Sequence, residues 1–116
     1  MTLDHKILHR LRTLAALSLL LTTACAAGIN PSLENARDAY LKARRDPVIV
    51  RHAGATLERA AVTLEEADRR WKKDKDVDEV EHLAYITEKR VEIAKVVAQR
   101  RLAADKLQKA DSQLER

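Results

Sequence analysis

The chain has 116 residues, 46% of them apolar, 34% charged and 3% aromatic, with two Gly, two Pro, no Phe and a net charge of +4. That length holds one small domain, and the abundance of Ala, Leu, Glu, Lys and Arg is the composition of a helix bundle or coiled coil. It excludes a β-sandwich or barrel, which needs β-branched and aromatic runs broken by Gly and Pro. It also argues against an enzyme, since nothing here walls a deep pocket.

Residues 1–24 differ in kind from the rest. His5, Lys6, His9, Arg10 and Arg12 stand against one acid, Asp4, and the eleven residues Leu14 to Ala24 then carry no charge. A basic segment, an apolar core of that length and small residues after it make a bacterial export signal. A membrane span would need roughly 20 apolar residues.

Cys25, the only cysteine, has no partner for an intramolecular disulfide. It follows Leu21-Thr22-Thr23-Ala24, and this segment resembles the lipobox of bacterial lipoproteins. There, signal peptidase II cuts between Ala24 and Cys25, and the thiol takes a diacylglycerol. Thr23 and Ala24 suit the pattern; Thr22 departs from it, because the aliphatic residue expected there stands one place further out. Ala24-Cys25-Ala26 also reads as a site for ordinary signal peptidase, which would release a soluble periplasmic protein, and an uncleaved anchor is the third alternative. Two or more acyl chains hold a protein stably on a bilayer. By resemblance to known lipoproteins, Ala26 is not the Asp that retains them at the inner membrane. The expected address is therefore the periplasmic face of the outer membrane.

The signal holds three of the 22 Lys/Arg and one of the 18 acids, so residues 25–116 keep 19 and 17, a net charge of +2. These charges are interspersed and lack aromatic interleaving, which gives nucleic-acid binding no support. Residues 25–30 read as the lipidated cysteine and a short tether, and 31–116 as the helical domain.

The first helix is expected over about 31–46, capped by Asn30 with Pro31 at its first position. Leu33, Ala36, Tyr40 and Ala43 make its apolar face, and Pro47 ends it. The second helix is expected over 48–73, with Ala53, Leu57, Ala60, Leu64, Ala67 and Trp71 in a heptad-like rhythm that fits close antiparallel packing. Gly54 within it marks a close contact or a kink. Glu65–Arg69, Glu66–Arg70 and Asp68–Lys72 are spaced for ion pairs on its solvent face.

Lys73 to Asp76 is the turn, with Asp76 and Glu79 spaced as a capping-box-like start. The third helix is expected over 77–115, with a wide apolar stripe first (Val80, Leu83, Ala84, Ile86, Val91, Ala94, Val97 and Ala98) and then a narrower one carrying Leu102, Leu107, Ala110 and Leu114. At 1.5 Å per residue it outruns the second helix near Arg100, leaving an overhanging end. The fold class is thus all-α: an antiparallel three-helix bundle, or helical hairpin, with a long, partly overhanging C-terminal helix.

No constellation of catalytic residues stands out. His52 and His82 lie on different helices, and Asp78 with His82 is at best two metal ligands, so no metal or cofactor is expected. Ser32 and Ser112 lack a base, and there is no Gly-rich phosphate loop. Trp71 and Tyr85 flank the turn and are placed to pack together. The runs Arg44-Arg45-Asp46 and Lys72 to Asp76 read as solvated helix ends, with contact to anionic lipid or glycan as the alternative.

Three segments then carry a family resemblance: Leu33-Glu34-Asn35-Ala36-Arg37-Asp38-Ala39-Tyr40, the Ala- and Glu-rich stretch from Thr56 to Trp71, and Val80-Glu81-His82-Leu83-Ala84-Tyr85 opening a long basic helix. With the signal, they resemble the bacterial lipoproteins bearing domain of unknown function 4398, over about residues 30–105. In that family the helical region often precedes an OmpA-like peptidoglycan-binding domain. The sequence ends at Arg116 with no room for one, so wall binding is not expected, and the resemblance implies no catalytic residues. The expected protein is a non-enzymatic outer-membrane lipoprotein acting as a structural or adaptor component. Its partner would be an envelope protein or a second copy, bound through Leu102, Leu107 and Leu114. The alternative is a soluble periplasmic binding module or chaperone-like helper.

Overall fold

The computed structural model describes residues 28–116. The signal, Ala24 and Cys25 lie outside the described residues. Among the described residues three helices follow one another, α1 (Pro31–Arg45), α2 (Pro47–Lys73) and α3 (Val77–Leu114). α1 and α3 run the same way, and α2 runs against both.

Each helix starts on a side-chain cap that satisfies a free backbone N–H. The Asn30 side chain accepts from the Leu33 N–H at 3.0 Å, and Pro31 fills the first helical position. Asp46 has two jobs. Its backbone ends α1, donating to the Ala43 carbonyl at 3.2 Å, while its carboxylate accepts from the Val48 and Ile49 N–H groups at 2.8 and 3.4 Å and opens α2. One residue therefore turns the chain. The Asp76 carboxylate accepts from the Glu79 N–H at 3.2 Å and opens α3, as the spacing of those two acids predicts. Between α2 and α3 only Lys75 takes a left-handed conformation, with φ 53°.

The expected apolar faces are the buried ones. Leu33, Ala36 and Ala43 of α1 pack with Ala53, Leu57, Ala60, Leu64 and Ala67 of α2 and with Val80, Ala84, Val91, Ala94 and Ala98 of α3. Among the described residues eight of the fourteen buried apolar ones are Ala, so this core depends on close backbone approach more than on large side chains. It divides into two layers, one at the α2–α3 turn around Leu33, Leu64 and Val80, the other at the far end around Ile49, Leu57 and Val91, with Tyr40 packed against both.

Two polar residues complete the core. Thr63 and Thr87 are buried, and each hydroxyl donates to the carbonyl one turn back, Arg59 at 3.0 Å and Leu83 at 2.9 Å. That local bond satisfies the hydroxyl, so each Thr packs as a β-branched core residue.

Of the two readings of Gly54 the kink holds: a Cβ there would meet nothing within 4 Å, which excludes a close contact, and the helix kinks at the adjoining Ala53 (φ −138°, ψ 24°). Two ion pairs differ from the sequence expectation. Asp68 does not pair with Lys72 but reaches across to Arg37 on α1. Arg69 pairs with Glu66 rather than Glu65, and Glu66 also holds Arg70 at 2.9 Å as expected.

Candidate interaction surface

The ends of the bundle are unlike. The chain joins the bundle at the α2–α3 turn, where the Trp71 indole N–H donates to the Gly28 carbonyl at 2.8 Å. Trp71 packs on the core layer beneath it, and the Lys75 ammonium lies 4.4 Å from the ring centre. Tyr85 takes a different partner: it is exposed, with Lys89 above its ring at 5.5 Å. The two rings placed for mutual packing by the sequence thus serve separate faces of the bundle.

At the opposite end α3 continues past the α1–α2 junction. Arg101 donates to the His52 carbonyl at 2.7 Å, and Asp105 lies 3.5 Å from His52 Nδ1. These are the final polar contacts with α2 among the described residues. From Ala103 to Arg116 every residue is exposed, and beyond Asp105 about two and a half turns of α3 stand free. His52 is thus a contact at the root of the overhang. His82 and Asp78 are both exposed, and among the described residues no three His, Cys, Asp or Glu side chains come together. Among those same residues no helix is long and apolar enough to cross a membrane.

The three leucines expected to act together do not share a face. Leu102 is half-buried on the bundle side of α3, whereas Leu107 and Leu114 are 67% and 86% exposed. Leu102 and Leu107 are five residues apart, which turns them well away from each other on a helix; Leu107 and Leu114, seven apart, align. The line of Leu107 and Leu114 extends backward instead, through exposed Ala103 and Ala110 to Val96 and Ile93, which are 51% and 54% exposed within the bundled part of α3. This stripe lies on the side of α3 opposite the buried Val91, Ala94 and Ala98. A shallow apolar depression around Ile93, Val96 and Val97, edged by Lys89 and Arg100, forms part of it.

A family model described as a domain of unknown function (DUF4398) matches residues 31–110. The chain belongs to this family. The matched stretch opens at the first residue of α1 and reaches Ala110, so the DUF4398 unit takes in the three described helices and about half of the free end of α3. The overhang is part of the domain. No curated protein and no solved structure matches the chain at a significant level.

Proposed function

We propose that this DUF4398 protein is a non-enzymatic lipoprotein of the cell envelope, anchored through Cys25 on the periplasmic face of the outer membrane and serving as a helical adaptor. The observation that carries the adaptor role is the free end of α3. A helix whose outer side bears Leu107 and Leu114 in water leaves apolar surface uncovered that a partner helix or groove would bury. The sequence around Cys25 supports the anchor, and the attachment of Gly28 at the Trp71 end supports a tether held away from that free surface.

Intact mass of the mature protein isolated from membranes, beside a Cys25→Ala control, tests the anchor. The expected species starts at Cys25 and carries acyl chains that the control lacks. A species starting at Ala27 without lipid replaces this reading with the soluble periplasmic module. Truncation after Arg101 tests the adaptor role: envelope proteins retained by the full chain are expected to be lost, and unchanged retention overturns it.

A further inference from the structure

The exposed stripe of α3 has a stricter pattern than a general apolar patch. Ile93, Val96, Arg100, Ala103, Leu107, Ala110 and Leu114 follow one another at spacings of 3, 4, 3, 4, 3 and 4. A straight helix drifts about 20° per heptad against such a repeat, so a strict 3–4 alternation over three heptads follows a left-handed supercoil and implies a second helix. Among the described residues α1 and α2 occupy the other side of α3, so the second helix is neither of them. Stripe residues also alternate in size: Ile93, Arg100 and Leu107 are large at the first position of each heptad, Ala103 and Ala110 small at the fourth.

We infer that α3 pairs antiparallel with α3 of a second copy of this chain along Ile93 to Leu114. This deepens the adaptor reading, on which it rests for α3 as the working surface. In an antiparallel pair the first position of one helix faces the fourth of the other. With Arg100 opposite the partner's Ala103, Ile93 meets the partner's Ala110 and Leu107 meets the partner's Val96. Ala thus faces Ile93 or Arg100 in four of these six layers, and the two-fold axis makes every contact twice. The same register brings Arg90, whose guanidinium also donates to the Arg59 carbonyl at 3.0 Å, beside the partner's Asp111 at both flanks, an attractive pair. A parallel pair would put Arg100 and the partner's Arg100 in one layer and stack Ala on Ala, leaving gaps; the antiparallel register sets the two Arg100 in neighbouring layers, each against Ala. Size complementarity selects the antiparallel arrangement, and the Arg90–Asp111 flanks suit it. Each free end then lies along the partner's depression at Ile93, Val96 and Val97.

Cross-linking decides it. Val96→Cys and Leu107→Cys are made in separate full chains, co-expressed with distinguishable tags and treated with a short bis-maleimide. The chain without an added cysteine supplies the background from Cys25. The expected product is the mixed 96–107 dimer, with neither variant linking to itself. Self-linking of Leu107→Cys without the mixed product overturns the antiparallel pair in favour of a parallel one.

Sedimentation of the purified full chain is the second arm. Leu107→Glu is expected to raise the dimer midpoint at least tenfold in concentration, with unchanged helix content because Leu107 touches nothing in its own chain's core. A full chain that stays monomeric at all concentrations overturns the inference. The adaptor reading would then stand or fall separately, on the loss of envelope proteins after truncation at Arg101.

Discussion

Arg37 on α1 and Asp68 on α2 join the first helix to the hairpin: Nε donates to the carboxylate at 3.0 Å and Nη2 makes a second bond to the same oxygen. Glu34, one turn earlier on α1, takes the remaining arm of the guanidinium. Both side chains of the cross-helix pair are about 30% exposed, so the pair is shielded more than a surface ion pair and less than a buried one. Arg37→Leu is expected to cost about 1–2 kcal/mol and to lower the melting temperature by several degrees. A double-mutant cycle with Asp68→Asn should recover a coupling of about 1 kcal/mol; additive losses would show that the contact contributes nothing.

The same pair predicts a flat pH response. The hydrogen bond to Asp68 pushes the Arg37 pKa up from its ordinary value, against a partial loss from burial, and the charges of Asp68 and Glu34 add to the rise. A raised pKa contributes stability that is complete below the unfolded value and is lost only as pH climbs through the folded one. Both lie far above neutrality. Thermal melts of Arg37→Leu and the native chain should therefore differ by a constant amount between about pH 6 and 9, and a difference that grows or shrinks there would contradict this account.

Gly54 offers a stabilising change. It sits exposed in α2 with open space where a Cβ would go and without a positive φ. Gly54→Ala is expected to stabilise by about 0.5–1 kcal/mol, through helix propensity and a less flexible unfolded chain. Denaturant midpoints measure it; a loss of stability would show that the kink at Ala53 needs the glycine after it.

Ala94 is fully buried between the helices in the far-end layer. A larger side chain there forces the helices apart, so Ala94→Leu should cost about 1–3 kcal/mol. A melt unchanged by this substitution would mean the α3 packing is looser than its Ala-rich seam indicates.

Trp71→Phe keeps an aromatic ring on the core but removes the donor to the Gly28 carbonyl. The expected loss is about 0.5–1.5 kcal/mol, with faster proteolysis at Gly28–Asn30 and little change elsewhere. Equal cleavage rates in the two proteins would mean that the indole N–H does not hold the segment leading into α1.

Local chemistry makes most of the fold readable. Asn30, Pro31, Pro47 and Asp76 act through neighbours a few residues away, and the stripe from Ala53 to Trp71 needs only a helical period. The Arg37–Asp68 bond joins residues 31 apart in sequence, and nothing in the i,i+4 spacing of Asp68 and Lys72 reveals which cation wins. The candidate surface is half legible. The helical period picks out Val91, Ala94 and Ala98, which do face inward, and leaves off Ile93 and Val96, which face out as a second apolar row that the inward stripe does not reveal. Residue type groups Leu102 with Leu107, although the angle between them sends Leu102 to the bundle. The 3–4 alternation from Ile93 onward is present in the letters and becomes distinct only once the inner face is known.

Trp71 holds the start of the domain at the end of the bundle away from the free helix, and this has a consequence for posture. In the antiparallel pair the two Trp71 ends lie roughly 70 Å apart at 1.5 Å per residue, at opposite ends of a rod. Were each of those ends tied to one bilayer through Cys25, as proposed, such a rod would lie along the surface, pinned at both ends like a beam. A lone copy would be pinned at one end and swing. Pairing would then set how far from the membrane the protein reaches, trading height for grip.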